Sequence, residues 1–190
     1  MPSSPQSPNS LRRLLGPGSK VGLIAAITAA IVLLDQVTKA LAIQHLESQG
    51  RIEVIGSLVQ FHFYRNFAGP NNLFGDHTQA LSIFGLLAAL VLVAVAFRVR
   101  STVSAISVGL LLGGAFGNLL DRVFREPSPL EGGVVDWLKL TSSSKSMNIA
   151  DLAIDIGIVV VLITTVLTFR QRRDEYLSRS TSKRETRINS

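Results

Sequence analysis

ALSIFGLLAALVLVAVAF, Ala80 to Phe97, carries no ionised side chain over a length close to the thickness of a bilayer's hydrocarbon core. Val21 to Leu46, Thr102 to Leu120 and Ile149 to Phe169 also reach the roughly 20 residues that a crossing helix needs. With 47% apolar and only 17% charged residues, the composition excludes an ordinary soluble domain. The pattern predicts a membrane all-α protein, a bundle of four transmembrane helices.

The first span has a basic flank, Arg12, Arg13 and Lys20, but its apolar run is too long for a cleaved signal peptide and it contains Asp35 and Lys39. It reads as a retained helix that doubles as the targeting signal. Cysteine is absent, which excludes disulfides, thiolate nucleophiles and cysteine metal sites.

A net charge of +6 would suggest nucleic acid in a soluble protein, but here its distribution follows the positive-inside rule. Arg98 and Arg100 lie between the second and third spans, and seven basic residues from Arg170 to Arg187 follow the fourth. The two long loops are sparser in basic residues and carry acids. Both termini and the short second loop are therefore expected in the cytoplasm and both long loops outside.

Residues 1–19, rich in Pro and Ser, are expected to be a disordered cytoplasmic lead; 20–170 form the membrane domain, with outer loops 47–79 and 121–148; 171–190 form a loose basic tail. In VQFHFYR, 59–65, the apolar residues Val59, Phe61 and Phe63 alternate with polar ones, and VVDWLKL, 134–140, is also strand-like. The loops predict a small extracytoplasmic β-rich cap. Trp137 is expected as an interfacial anchor, and His45, His62 and His77 lack metal-ligand spacing.

GGAFGNLLDRVF, 113–124, ends the third span on Asn118 and Asp121, and MNIAD, 147–151, opens the fourth with Asn148 and Asp151. Each Asn–Asp pair, three residues apart, shares a helix face. The topology brings both aspartates to the outer boundary. Two readings compete. In one, Asp121 pairs with Arg125 at an interface while Asn148 is an N-cap and Asp151 favours the positive helix end. In the other, two nearby acids share a proton, so one acts as base towards water while the other protonates an amide carbonyl. The recurrence favours chemistry that requires no cofactor or metal. Helix polarity then predicts that Asp121 holds the shared proton.

Gly114 and Gly117 lie on the face of Asp121 and leave room for a helix or a substrate, but Gly109, Gly113 and Gly117 form small-xxx-small repeats, whose commoner use is helix packing. Asp35 and Lys39 are four apart and read as a structural brace, with ion conduction as the rival use. Asp155, one turn beyond Asp151, is a further acid able to support or compete with the pair.

DQVTK (35–39), GGAFGNLLDR (113–122), GGVVDW (132–137) and MNIAD (147–151), in this order and spacing, resemble the lipoprotein signal peptidases, the signal peptidase II family. The resemblance implies a four-helix bacterial membrane aspartyl endopeptidase that cuts before a diacylglyceryl-modified cysteine. It implies Asp121 and Asp151 as the catalytic dyad, Asn118, Arg122, Asp136 and Asn148 as a polar shell, and a matching role for Asp35 and Lys39. Asn66 is matched in RNFAGPNNLFG, 65–75, although that segment departs from the family's usual Asn-x-Gly-Ala-Ala-Phe. The expected partners are the modified prolipoprotein and membrane lipid, with no nucleic acid, for a chain acting as a monomer. The alternatives are a catalytically altered lipoprotein-binding relative and a small proton-linked transporter.

Overall fold

The computed structural model describes residues 19–69, 77–140 and 146–188. Four helices in it are long and apolar enough to cross a membrane. They are α1 (Val21–Leu46), α2 (Thr78–Ala96), α3 (Thr102–Phe124) and the first part of α4 (Ile149–Ile188). Their outward surfaces are apolar, with Leu33, Leu34, Val91 and Leu162 at least half exposed, as suits lipid rather than water.

α3 is the central element and packs against each of the other three helices. Its glycines make this possible. A Cβ on Gly109 would lie 2.8 Å from Ile27 Cβ, and one on Gly113 would lie 2.6 Å from Ile31 Cβ, so α1 seats directly against the α3 backbone. On the other side, a Cβ on Gly114 would run into the Ala150 carbonyl at the start of α4. Gly114 therefore packs helices and leaves no room there for substrate.

The local chemistry explains most boundaries. The Ser101 side chain caps α3 by accepting from Ser104 N at 3.5 Å, and Arg125 leaves the helix in an extended conformation two residues before Pro127. α3 thus extends one turn beyond the expected end at Leu120, and Asp121 and Arg122 lie within it. The larger difference is at the carboxyl end, where α4 runs to Ile188 instead of giving way to a loose tail. Residues 170–188 contain no Gly or Pro and many Arg, Gln, Glu and Lys, so nothing in this sequence stops a helix already nucleated in the apolar span. The expected disordered lead falls almost wholly outside the described residues.

The long loops build one antiparallel four-stranded sheet in the order β1 (Ile52–Ile55), β2 (Val59–Asn66), β3 (Val134–Leu140) and β4 (Ser146–Met147). Phe61, Phe63, Val135 and Trp137 pack with Ala42, Ile43 and Leu46, seating the sheet on the end of α1. Trp137 meets Phe61 edge to face at 5.4 Å and belongs to this sheet cluster. Register pairs Tyr64 with Asp136 and Asn66 with Val134, which brings the end of β2 beside the start of β3. β4 runs straight into α4, so the sheet delivers residues from both loops to the helix ends.

Candidate active site

At the sheet end of the bundle, polar side chains from five elements meet in an interior that is otherwise apolar. Asp35, Lys39, Asp121, Arg122, Asp136 and Asn148 are all at most 5% exposed. Burying charge this way is tolerable only when each group is paired or hydrogen-bonded.

Lys39 is the hub on the α1 side. Its Nζ lies 2.7 Å from Asp35 Oδ2, 3.0 Å from Asp121 Oδ2 and 3.0 Å from Asn118 Oδ1. Asp35 also accepts the Ala150 backbone N–H at 2.9 Å, which satisfies an otherwise orphan amide in the first turn of α4. The DQVTK segment is thus a brace joining α1, α3 and α4. A Cβ on Gly117 would lie 2.8 Å from Asp35 Oδ2, so this glycine makes room for that carboxylate.

Asp121 has no free lone-pair direction left among its partners. Oδ1 accepts from Arg125 Nε at 2.7 Å and Gln36 Nε2 at 3.2 Å; Oδ2 meets Lys39 Nζ and accepts from Val135 N at 3.1 Å. Two cations neutralise it, and the Val135 contact ties the end of α3 to β3. Asn118 separates it from Asp151: the Asn118 amide takes Lys39 on its oxygen and donates from Nδ2 to Asp151 Oδ1 at 2.8 Å.

Asp151 is held from the other side by Asn148. Asn148 Oδ1 accepts Asp151 N at 2.9 Å, while Asp151 Oδ2 accepts Asn148 N at 3.3 Å, a reciprocal cap on α4. The N-cap reading of Asn148 is therefore realised, but the residue does more. Its Nδ2 donates to Asp136 Oδ1 at 2.7 Å and to Asn118 Oδ1 at 3.2 Å. Asn148 thus meets the Asp136 carboxyl with its side chain and the Asp151 carboxyl with its backbone N–H.

Among the described residues, no cation touches Asp136, on β3, directly. Among these described residues it accepts, besides Asn148, only from Asn66 Nδ2, at 3.1 Å to Oδ2. Burial and the neighbouring charge of Asp151 push its carboxyl up to about 7, against the opposing hydrogen bonds from Asn66 and Asn148. Arg122 anchors the surrounding backbone, its Nη1 donating to Phe67 O at 3.1 Å and Gly132 O at 2.9 Å. Gly132 is required there, because a Cβ would collide with the Asp121 carbonyl oxygen.

Comparisons with known proteins agree with this architecture. Residues 27–167 match the family described as signal peptidase (SPase) II. A lipoprotein signal peptidase of Leifsonia xyli is 35% identical over 177 residues, covering 91% of this chain and 82% of the relative. One from Streptomyces griseus is 40% identical over 146 residues, covering 74% and 72%. The chain belongs to the signal peptidase II family. Two solved bacterial membrane enzymes share the fold: one with a TM-score of 0.68 at 24% identity over 76% of this chain and 88% of that one, the other with 0.65 at 25% over 76% and 92%.

Among signal peptidase II motifs, all the residues singled out from sequence occupy this cluster or its supports. Asp155 does not: it lies on an exposed face of α4. Gln36, Thr78 and Ser82 were not anticipated. The first is legible only as part of DQVTK, and the other two are hydroxyls in an apolar helix. The departing segment 65–75 is described only through Gly69, whose positive φ of 74° and N–H bond to Asn66 Oδ1 at 2.9 Å turn the chain away after β2.

Proposed function

We propose that this chain is an aspartic endopeptidase that removes signal peptides from prolipoproteins, cutting before a diacylglyceryl-modified cysteine, with Asp136 and Asp151 as its acid pair. The family supplies the reaction class. The observation that carries the residue assignment is that Asn148 holds Asp136 and Asp151 together, while Lys39 and Arg125 occupy Asp121. This differs from the Asp121–Asp151 pair expected from helix ends. A carboxylate neutralised by two cations and bonded through both oxygens is poorly suited to exchange a proton, so Asp121 is assigned the structural role and does not hold the shared proton.

In the resting pair one carboxyl is protonated and one ionised. Water placed between them gives a proton to the ionised partner as its oxygen attacks the scissile carbonyl carbon. The protonated partner gives its proton to the carbonyl oxygen, forming a neutral tetrahedral gem-diol. Collapse breaks the C–N bond: the gem-diol returns a proton to one carboxylate, the other protonates the departing cysteine nitrogen, and the pair again holds one proton. Asn66, Asn118 and Asn148 orient the carboxyl groups without adding charge.

The basic residues at 98–100 and after 170 support placing the opposite end of the bundle in the cytoplasm, so the site faces the extracytoplasmic boundary of a bacterial membrane, where a lipid-modified cysteine would sit. The chain acts as a monomer in this reading, with substrate reaching the pair sideways from lipid. Purified protein in lipid, given a diacylglyceryl-modified prolipoprotein and followed by mass, tests it. Asp136→Asn and Asp151→Asn should each lower cleavage by about 10²–10⁴-fold; wild-type cleavage by either variant refutes the pair.

A further inference from the structure

α2 contributes none of the acids, yet its first two turns grip both chain segments that lead to Asp136. Thr78 Oγ1 donates to the Phe67 carbonyl at 3.1 Å, and Ser82 Oγ lies 2.6 Å from the Leu130 carbonyl. The two hydroxyl residues are four apart, on one helix face, and are 8% and 2% exposed. Phe67 directly follows Asn66, which donates to Asp136, and Leu130 lies in the turn that leads to β3, which carries Asp136.

The Leu130 contact is the more specific. Leu130 has a φ of 71°, a left-handed conformation that a leucine avoids unless its surroundings impose it. The single Ser82 hydroxyl proton has two acceptors within reach, Leu130 O at 2.6 Å and Thr78 O at 3.0 Å, and the long-range contact to Leu130 is the shorter. From the opposite side, Arg122 holds the carbonyls of Phe67 and Gly132. The segment before β3 is therefore clamped between α2 and α3.

We propose that Ser82 is a positioning residue for the acid pair: its hydroxyl, supported by Thr78, fixes the backbone before β3 and so sets Asp136 against Asp151. This rests on the Asp136–Asp151 reading. The groups facing Asp136 are Asp151 from α4, with Lys39 of α1 and Arg122 of α3 acting through their charge, and the amides of Asn66 and Asn148. Ser82 touches none of them, so its influence passes through the backbone. Release of that backbone moves Asp136 away from the neighbouring charge of Asp151, and the alkaline limb of the activity profile moves with it.

The test uses the full chain in vesicles of phosphatidylethanolamine and phosphatidylglycerol with a diacylglyceryl-modified prolipoprotein. Ser82→Ala should lower kcat about tenfold, the rate equivalent of one net hydrogen bond, with KM changed less than about twofold. Its alkaline limb should shift to lower pH, and Ser82→Thr, which restores the hydroxyl, should recover both. Wild-type kcat and pH profile in Ser82→Ala overturn the proposal. So does a variant that merely melts earlier while its folded fraction keeps both. If Ser82→Ala does not fold, Thr78→Val is read by the same criteria. Full activity in Asp136→Asn or Asp151→Asn sinks the acid pair itself, whereas inactive aspartate variants beside an unaffected Ser82→Ala sink only the role of Ser82.

Discussion

Among the described residues, four buried or half-buried carboxylates stand within one polar cluster, and their partners divide them into two kinds. Asp35 and Asp121 are ion-paired to Lys39, with Arg125 also on Asp121. Asp136 and Asp151 are bound by asparagine amides and backbone N–H groups. Removing Lys39 would leave two buried anions unmatched, so Lys39→Met should destabilise the fold by about 3–5 kcal/mol, read as loss of folded protein in detergent melts. Unchanged melting would contradict the bracing role. Asp136 gives a pH signature. Its folded pKa, about 7, is above the ordinary carboxyl value of 3.8, so the folded state binds the extra proton in the intervening window. That stabilisation is complete below the ordinary value and is lost as pH rises through about 7. Wild-type melting temperature should therefore fall from pH 4.5 to 7.5 more steeply than that of Asp136→Asn, and equal slopes would refute the raised pKa. Activity should decline along the same limb as the shared proton leaves.

Helix α3 converts small residues into proximity. Gly113 brings α1 close, Gly114 admits the first turn of α4, and Gly117 leaves space for Asp35. Gly113→Leu should therefore separate α1 from α3 and cost several kcal/mol, in the range of severe overpacking. A variant with wild-type melting and activity would show that the helices have slack that the close contacts deny. The spacing of Gly113 and Gly117 was legible in the sequence as a small-xxx-small repeat, and the four spans were legible from long apolar runs. The end of α4 was not: charged composition marks where a helix leaves lipid but not where it unwinds. Nor was Asp136 legible as a member of the proposed acid pair. Two helix-end aspartates invited pairing because their depths were predictable, whereas the depth of a strand residue depends on sheet register. The available clue was VVD at 134–136, a carboxylate set directly after two buried valines in a strand.

At the scale of the whole molecule, the sheet sits on one end of the bundle, while Lys20, Arg98, Arg100 and the arginines from Arg170 to Arg173 flank the other ends of the spans. Reporter fusions after Phe97 and after Arg173 should behave as cytoplasmic, while a tag inserted within 141–145 should be accessible from outside; the reverse pattern would invert the assigned site face. The fold brings a loop, a strand and two helix ends to one buried cluster, and two aspartates there are near enough to perturb one another. Which two carry the reaction is decided most directly by cleavage of a diacylglyceryl-modified prolipoprotein in lipid, with rates normalised to folded enzyme, by three variants: Asp121→Asn, Asp136→Asn and Asp151→Asn. The expected result is abolished cleavage in the second and third, with Asp121→Asn less stable but still able to cut. An Asp136→Asn enzyme that cuts at the wild-type rate, beside a folded and inactive Asp121→Asn, would return the catalytic role to the end of α3.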